Sequence, residues 1–419
     1  MAVKVVILGG SAIATPELAG AIARISRRTQ PIELVLVSRS ADKLSKVAGV
    51  SRLYAGGDSL LTISYTTDLE TALQGADYIL NQVRVGGYPA RAFDESFSNE
   101  LGIPGEETVG PGGFANASRT IPVVLEYARK IEAICPSATL LTFANPSSLV
   151  QYAIHRYTSL KAIGMCDAPI TLIDRIASAL RLPATDLTVD YLGMHHFGWV
   201  VGISYRGKDY LPEALSKVGK IAPEVDPSIP QAFGAIPGSY FNYFFHADRM
   251  LEKKRGKRTR AEELMEMQAD ILADFDQALA TGEKPLSLTR RKAIWYKVII
   301  APVLLALIEG KAGTPDFVKP GRFILNVQNN QVIPWLPPEA IVEVPTLIEG
   351  GRVLPLANGS VPLAVKTLIQ RNCAYEILAT EAIVERDRHK ALQALLLNPL
   401  IHTHDQATAV LERAWSWKG

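Results

Sequence analysis

The chain has 419 residues, of which 48% are hydrophobic and 21% are charged, and this is close to the composition of an ordinary globular protein. The composition excludes disordered, collagenous and coiled-coil chains, and the length is typical of about two to three domains. The formal net charge is +2, which excludes the large single-sign field that recruits nucleic acid or an acidic membrane.

The first half of the chain alternates strand and helix signals. The apolar runs Val3–Leu8 and Ile32–Val37 are typical of buried parallel strands, and further strands are predicted over residues 78–83 and 138–142. A helix is predicted to begin at Thr15, with that residue as its N-cap and a proline at the first helical position. Repeated strand–helix units favour a doubly wound parallel sheet, in which ligands lie beyond the C-terminal ends of the strands.

The second half is predicted to be mixed and mostly helical. Helices are predicted over 260–279, 293–309 and 362–386, short strands over 341–344 and 352–356, and a loop rich in Pro, Ala and Gly over 219–237. We expect an α/β fold with a Rossmann-like dinucleotide-binding domain over residues 1–195. A mixed α+β domain for substrate, metal and oligomer contacts is expected over residues 196–419, in an arrangement similar to lactate and malate dehydrogenases.

The sequence predicts a cytoplasmic protein. The apolar segment 298–308 is too short for a membrane span, which needs about 20 residues. The N-terminus has no basic region before its apolar run, so it predicts a first strand and not a signal peptide. Three cysteines, scattered and odd in number, imply no disulfide framework, and a reducing compartment is therefore expected.

The turn after the first predicted strand is a candidate nucleotide site. Gly9, Gly10 and Ser11 precede a helix, where glycines let the backbone approach a pyrophosphate and the helix N-terminus offers free N–H groups. Their spacing does not match the G-x-G-x-x-G fingerprint, so a plain strand–helix turn is an alternative. Ser38 and Arg39 end the second strand where an acidic residue normally binds the NAD ribose, which suits the 2′-phosphate of NADP or marks a solvated turn.

Two further groups of residues suit site chemistry. Cys166 and the pair His195 and His196 are good ligands for a divalent transition metal, although their spacing is not a recognised one and burial in a core is the alternative. Residues 82–119 combine arginines, carboxylates and glycines in what is predicted to be a polar loop. The arginines within it suit a bound carboxylate or phosphate, and a salt-bridged surface loop is the alternative.

Several motifs resemble glycoside hydrolase family 4, the NAD- and metal-dependent glycosidases. They occur in the family's order over nearly the whole chain, and they read GGSAIATPEL, VRVGGYPARAFDE, ETVGPGGFANASRTIP, MCDAP, GMHHFGW and NVQNNQVIPWLPPEAIVEVP. No single motif is decisive, but their joint occurrence is specific. The handful of aromatic residues over 237–246, which alone indicates core packing, also matches the family and includes its catalytic tyrosine.

The resemblance implies a role for each candidate residue. Cofactor binding is implied for Gly9, Gly10, Ser11, Ser38, Arg39, Asn81 and Arg84, substrate binding for Arg91, Asn145, Arg290 and His195, metal binding for Cys166 and His196, and catalysis for Tyr240, Asp167 and Glu107. Tyr240 matches the general base, with Tyr243 as the alternative one helical turn away. Arg91 and Arg290 match residues that hold a sugar 6-phosphate, and His195 replaces the family's Asn.

The resemblance also implies the reaction. A hydride leaves the sugar C3 for NAD, the resulting ketone acidifies the C2 proton, and the tyrosine removes that proton while Mn²⁺ or another divalent metal polarises the neighbouring oxygens. The leaving group departs from C1, water adds, and the hydride returns. The expected substrate is a phosphorylated disaccharide or glycoside, cleaved as by a 6-phospho-β-glucosidase, and a homodimer or homotetramer is expected.

Two departures from the family pattern keep alternatives open. Asp167 stands where β-acting members usually have Asn, and Arg291-Lys292 replaces a Gly-Gly pair that often follows the phosphate arginine. A 6-phospho-α-glucosidase and a non-phosphorylated α-glycosidase are therefore alternatives within the family. A sugar or hydroxy-acid dehydrogenase and a non-catalytic dinucleotide-binding protein are alternatives of other classes.

Overall fold

The computed structural model describes residues 2–25, 28–310, 322–356 and 359–417. Its strands are β1 Val3–Leu8, β2 Ile32–Val37, β3 Leu61–Thr66, β4 Tyr78–Asn81, β5 Thr139–Thr142, β6 Lys161–Met165, β7 Thr188–Met194, β8 Phe197–Tyr205, β9 Lys208–Asp209, β10 Ile236–Pro237, β11 Arg322–Gln328, β12 Ile341–Glu349 and β13 Arg352–Pro355.

The α-helices follow the strands of the first half and become more frequent later. They are α1 Thr15–Arg24, α2 Ala41–Ala55, α3 Leu69–Leu73, α4 Gly87–Ser96, α5 Gly110–Ile134, α6 Ser147–Tyr157, α7 Ala168–Leu180, α8 Leu211–Ser216, α9 Val218–Ile221, α10 Ser228–Phe233, α11 Phe241–Phe245, α12 Ala247–Lys254, α13 Arg260–Thr281, α14 Ala301–Glu309, α15 Leu363–Glu385, α16 Arg388–Leu397 and α17 His404–Ser416. Turns of 3₁₀-helix occur at Phe97–Leu101, Ala184–Asp186 and Ser287–Arg291, and a π-helix spans Tyr296–Ile300.

One half of the sheet is parallel. Its strands lie in the order β3-β2-β1-β4-β5-β6, and each neighbouring pair is parallel. The central strands are buried and apolar, as expected where helices cover both faces. The chain reverses its direction of travel across the sheet between β1 and β4, and this switch point is where doubly wound sheets bind their ligands.

The other half of the sheet is antiparallel and continues from β6. Strand β6 pairs with β11, and the order β11-β12-β7-β8-β10 follows, all antiparallel. Within the described ranges, both halves therefore form one sheet. The second half of the chain contributes more strand than its mostly helical prediction. The boundary predicted between residues 195 and 196 lies in the turn from β7 to β8, and the division into two domains stays a prediction.

The structure corrects the prediction of a loop over residues 82–119. Helices α4 and α5, joined through a 3₁₀ turn, occupy most of that segment. Proline in the first turn of α5 and the small residues that follow allow it to begin as a buried helix against its neighbours. Residues 219–237, also predicted as a loop, contain α10 and β10 and most of α9.

The first helix begins with a different capping residue from the one predicted. The N-cap is Ala14, and Thr15 is the first helical residue. The hydroxyl of Thr15 instead accepts a hydrogen bond of 3.0 Å from the side chain of Gln82. Strand β4 likewise ends earlier than predicted, at Asn81, so that Gln82 is free to turn toward α1.

Aromatic packing fixes the segment that carries Tyr240. Trp199 and Phe241 are almost completely buried, and their ring centroids lie 4.5 Å apart. The ring of Phe197 also packs against Phe241, with centroids 4.4 Å apart. The predicted core role of this aromatic segment is therefore confirmed for Phe241, while the adjacent Tyr240 caps α11 and faces a different environment. Among the described residues, no helix combines the length and apolar character needed to cross a membrane.

Candidate active site

The turn between β1 and α1 lies at the switch point of the sheet. Gly9 has a φ of +79°, and a Cβ atom on Gly10 would lie 2.8 Å from the backbone of Leu36, so both positions require glycine. Gln82 donates to the carbonyl of Gly9 and accepts a hydrogen bond of 2.7 Å from the hydroxyl of Tyr296. The turn is therefore held open beside the N-terminus of α1, which is the backbone arrangement that fits a dinucleotide pyrophosphate.

Most of the remaining predicted cofactor residues lie beside this turn, whereas Arg84 pairs with Glu107 in the α4–α5 region. The hydroxyls of Ser11 and Ser38 lie 2.7 Å apart, which joins the first turn to the end of β2. Arg39 is exposed and makes no hydrogen bond or ion pair with the described residues. Asn81 connects the ends of β4 and β5 through a contact of 3.4 Å with the hydroxyl of Thr142.

Three side chains of types that bind metals form a cluster at the same edge of the sheet, where its parallel and antiparallel halves meet. Cys166 follows β6, and His195 and His196 form the two-residue turn between β7 and β8. One ligand atom from each of the three lies within 4.8 Å of the others, and all three side chains are buried or nearly so. A thiol and imidazoles form a donor set that fits a divalent transition metal.

Hydrogen bonds orient the imidazole of His196. Its Nδ1 lies 2.8 Å from the hydroxyl of Thr108, and that hydroxyl lies 2.6 Å from a carboxylate oxygen of Glu106. If the hydroxyl donates to the carboxylate, it accepts from Nδ1–H, which leaves the Nε2 lone pair of His196 free for a metal. Such a partner on the second nitrogen is typical of metal-binding histidines.

Burial changes the protonation of this cluster. It lowers the pKa of His195 to about 3 and that of His196 well below its usual value, so both imidazoles are neutral at pH 7. It raises the pKa of the Cys166 thiol, and the charges of Glu343 and Asp167 raise it further once these carboxyls are ionised. A metal must therefore displace a proton from Cys166 when it binds.

Tyr240 lies directly against the cluster. Its ring stacks on the imidazole of His196 with centroids 3.6 Å apart and an angle of 10° between the planes. Burial and the nearby carboxylate of Glu106 raise the pKa of its phenol well above the usual value. Tyr243, the alternative base, stacks 6.4 Å from Tyr240 and lies under the ammonium of Lys254.

A buried carboxyl ties together the strands behind Cys166. Glu343 in β12 accepts hydrogen bonds from Tyr191 in β7, at 2.8 Å, and from Asn326 in β11, at 3.2 Å. The hydroxyl of Tyr191 lies where a Cβ on Gly198 would be, so glycine is needed there. Burial raises the pKa of Glu343 to about 8, so it is mostly neutral at pH 7.

Arginines and carboxylates from the α4–α5 region form a second cluster. Glu107 is buried and makes ion pairs with Arg84 and, at 3.1 Å, with Arg91, which also binds Glu95 at 2.7 Å. Burial alone would raise the pKa of Glu107, but these arginines and Arg291 outweigh it and hold the pKa below the usual value. Glu107 is therefore an ionised carboxylate.

Arg290 is not part of this cluster. It is exposed and pairs with Asp270 at 3.0 Å on the surface. The adjacent Arg291 is half-buried, its guanidinium lies 4.7 Å from the ring centroid of Trp295, and its charge acts on Glu107. The structure therefore brings Arg291, and not Arg290, toward the other arginines. Sequence reasoning noted Arg291 only as a departure from a Gly-Gly pair.

Asp167 and Asn145 lie close to the C-terminal ends of β6 and β5. Asp167 follows Cys166 at the N-cap of α7, makes no side-chain capping bond there, and its carboxyl pKa is raised by burial. Asn145 follows β5 and is half-buried. Sequence reasoning missed Thr108, Glu106 and Glu343. Thr108 and Glu106 lie within the polar segment 82–119, and the polarity of that segment is the signal that could have identified them.

A small polar cavity adjoins the metal-ligating cluster. Its volume is about 20 Å³, and its lining includes His195, Thr108, Ser148, Asn372 and Glu376. A cavity of this size holds about one water molecule where polar groups surround it. Glu376 accepts a hydrogen bond of 2.9 Å from Asn372, and burial raises its pKa to about 8.

Two family profiles match the chain. One, described as "Family 4 glycosyl hydrolase", matches residues 4–182, and the other, "Family 4 glycosyl hydrolase C-terminal domain", matches residues 191–401. Among curated proteins, a probable 6-phospho-beta-glucosidase of Bacillus subtilis (strain 168) is 30% identical over 428 residues, which cover 98% of this chain and 95% of that protein.

Several solved structures are also similar to this chain. The 6-phospho-beta glucosidase of Thermotoga maritima with NAD and glucose-6-phosphate has a TM-score of 0.87 and 26% identity, covering 99% of this chain and 97% of that one. A 6-phospho-alpha-glucosidase from gut microorganisms, in complex with NAD and Mn²⁺, has a TM-score of 0.84 and 25% identity, with the same coverage. A lactate dehydrogenase of Eimeria maxima shares the fold, with a TM-score of 0.53, 15% identity and coverage of 96% and 98%. The predicted fold class is confirmed.

The protonation of Glu376 makes stability depend on pH. Its folded pKa of about 8 exceeds the ordinary value of 4.5, so between these values the folded protein holds a proton that the unfolded chain has lost. The free energy of unfolding then decreases by up to about 1.4 kcal/mol for each pH unit gained. Glu376→Gln removes this contribution, and thermal unfolding from pH 5 to 8 should show its melting temperature falling less steeply than that of the wild type.

The matched control is Glu126→Gln, an exposed glutamate of α5, which should keep the wild-type slope. Equal slopes for Glu376→Gln and the wild type would mean that Glu376 is ionised in the folded protein at neutral pH.

Proposed function

The chain belongs to family 4 of the glycosyl hydrolases, and on this premise we propose that it hydrolyses 6-phospho-glycosides with NAD and a divalent metal. The family predicted from the sequence is confirmed. The observation that carries the proposal is the meeting of Cys166, His196 and Tyr240, because a metal ligand set with a phenol stacked against it is suited to removing a proton next to a metal-bound oxygen.

The two cofactors fit different parts of the site. The turn at Gly9 and Gly10 suits a dinucleotide pyrophosphate, and Cys166 and His196 suit a divalent metal such as Mn²⁺. When bound, the nicotinamide would take a hydride from the sugar C3 and return it, and the metal would polarise the oxygens on C2 and C3. Because Arg39 is exposed, its guanidinium is available to the 2′-phosphate of NADP, and the site is compatible with NADP as well as NAD.

We assign the proton transfers to two side chains. Tyr240 takes the proton from C2, because its hydroxyl belongs to the ring stacked on His196. Its pKa in the apoprotein is too high for a base at pH 7, and a nearby divalent cation supplies the charge that lowers it. Asp167, whose pKa is raised by burial, donates a proton to the leaving oxygen at C1.

The arginine cluster supports a negatively charged substrate. Arg84 and Arg91 enclose the ionised Glu107, and Arg291 adds a further positive charge beside them. Guanidinium groups bind phosphate by paired hydrogen bonds, so we infer that Arg91 and Arg291 hold the sugar 6-phosphate. Glu107 orients these arginines and faces the sugar, together with Asn145.

We infer β-glycosides as the preferred anomer, since a probable 6-phospho-beta-glucosidase is 30% identical over 98% of the chain, whereas a 6-phospho-alpha-glucosidase of equal identity matches over 83%. Asp167 favours the α-anomer, as does the likeness to a 6-phospho-alpha-glucosidase structure. A cytoplasmic location and a homodimer or homotetramer are further inferences that rest on sequence reasoning. A dehydrogenase of the same fold would release one reduced cofactor for each substrate consumed, whereas a glycosidase of this type would release none.

A panel of 4-nitrophenyl α- and β-glucosides, each with and without a 6-phosphate, tests the substrate. We expect release of nitrophenol from the phosphorylated β-glucoside and little from the unphosphorylated pair. Arg291→Gln should lower kcat/KM on the phosphorylated substrate by about 10- to 100-fold, because a hydrogen bond to a charged group contributes about 1.5–3 kcal/mol. Arg290→Gln, which changes the exposed neighbour, is the matched control and should leave kcat/KM unchanged.

Hydrolysis of the unphosphorylated glucosides alone would contradict the phosphate proposal. Equal losses in the two arginine variants would contradict the placement of Arg291.

The role of Tyr240 predicts a specific kinetic defect. Tyr240→Phe removes only the hydroxyl, so the stacking on His196 and the fold should remain. Since a positioned general base contributes about 10²–10⁴-fold in rate, kcat should fall by that factor while KM changes little. The measurement is steady-state kinetics with saturating NAD and Mn²⁺. Tyr243→Phe is the control and should retain kcat, whereas the reverse pattern would move the base to Tyr243.

A further inference from the structure

We propose that His195 is a third protein ligand of the metal, together with Cys166 and His196. The proposal rests on the proposed function only in requiring that a metal binds beside Cys166. The ligand atoms of the three side chains lie within 4.8 Å of one another. Whereas the family pattern has Asn at position 195, this chain offers one thiol and two imidazoles.

The hydrogen bonding of the two histidines differs. His196 has a partner for Nδ1 in the hydroxyl of Thr108 at 2.8 Å. His195 is 95% removed from solvent, with a relative exposure of 5%, and neither of its ring nitrogens makes a hydrogen bond within the described part of the chain. The side chain lines the small cavity beside the cluster, so its ring nitrogens are available to a ligand and are not held by other side chains of the described part.

The backbone turns both imidazoles to the same side. Consecutive side chains of a strand point to opposite faces of the sheet, but His195 and His196 lie in a two-residue turn in which His196 has a φ of +62°. Their rings consequently stack, with centroids 3.8 Å apart and an angle of 23° between the planes. Histidine adopts this left-handed conformation more often than most residues, and the tight turn thus holds the two imidazoles side by side.

The small polar cavity supplies a partner for the second nitrogen of His195. His195 lines this cavity together with Ser148 and Glu376, and its volume of about 20 Å³ accommodates one water molecule. One nitrogen of His195 can therefore bind the metal while the other has room for a water partner in the cavity that Glu376 also lines. Metal-binding histidines generally use their second nitrogen in this way.

A third ligand changes which metals the site prefers. One thiolate and two imidazoles suit Co²⁺, Zn²⁺ and Fe²⁺, and affinity for such nitrogen and sulfur sites rises from Mn²⁺ through Fe²⁺ to Co²⁺. Three protein ligands still leave a position open for the oxygens of a substrate, as in catalytic metal sites. The chain should therefore bind Co²⁺ more tightly than the same chain with Asn at position 195.

Titration of the metal-free protein with Co²⁺ tests the proposal without an activity assay. Loss of a partner behind a metal ligand already costs about 10–100-fold in affinity, so His195→Asn should raise the Kd for Co²⁺ at least about 10-fold and change the visible absorption of bound Co²⁺. His404→Asn, at an exposed histidine, is the matched control and should leave Kd and spectrum unchanged. Cys166→Ser should weaken Co²⁺ binding whether His or Asn stands at position 195.

X-ray absorption of the wild-type Co²⁺ protein provides a measurement that does not depend on the folding of a variant. It should show one sulfur and two imidazoles around the metal. One sulfur with a single imidazole, or a Kd for His195→Asn equal to that of the wild type, would overturn the proposal and leave the proposed function intact. Binding that is insensitive to Cys166→Ser would contradict the metal site of the proposed function itself.

Discussion

The register of four strands determines the geometry of the site. Cys166 follows β6, whose last residue pairs with Leu325 of β11. Strand β11 pairs with β12 along its whole length, and β12 pairs with β7 where Glu343 faces Gly193. A slip of one residue in any of these pairs would turn the side chains to the opposite face and separate Cys166 from the histidine turn.

Glu343 secures this register from inside the sheet. Its carboxyl accepts hydrogen bonds from Tyr191 of β7 and Asn326 of β11, so one side chain joins three strands. Because it is mostly protonated at pH 7, it joins them without placing a full negative charge behind Cys166. The parallel half of the sheet provides the turn proposed for the dinucleotide and, at the end of β6, Cys166, and the antiparallel half provides the two histidines proposed as metal ligands. One continuous sheet therefore relates the two parts of the site.

In the apoprotein, burial holds the buried side chains of the site in protonation states that do not suit the reaction, and a bound cation is needed to change them. It keeps the thiol of Cys166 and the phenol of Tyr240 protonated and the two histidines neutral. A divalent cation favours the opposite protonation of the thiol and the phenol through the same low-dielectric surroundings. The proposed activity therefore requires the metal for the protonation of the protein as well as for the sugar oxygens.

Much of the parallel sheet could be predicted from sequence, because its apolar runs are short, β-branched and bounded by turn residues, as in Val3–Leu8 and Ile32–Val37. The helices over 82–119 could not be predicted, because the glycines and charged residues of this segment are typical of a loop. The segment is helical because α5 packs against its neighbours. Long-range strand pairing brings Cys166, His195 and His196 together, and their spacing in the sequence does not reveal this pairing. Phosphate binding was predicted for Arg290 and not for Arg291, because only the folded backbone determines which of two adjacent side chains points toward the site.

The proposed reaction requires that the C2 proton of the sugar is removed, a step assigned to Tyr240, and isotope incorporation tests whether that proton is removed at all. Wild-type enzyme with NAD and Mn²⁺ is allowed to hydrolyse its substrate in D₂O, and the product sugar is examined by NMR and mass spectrometry. Deuterium is expected at C2, because the abstracted proton exchanges with solvent before a proton returns. Complete hydrolysis with only hydrogen at C2 would contradict the proposed reaction, since a glycosidase that displaces the leaving group directly never breaks the C2–H bond.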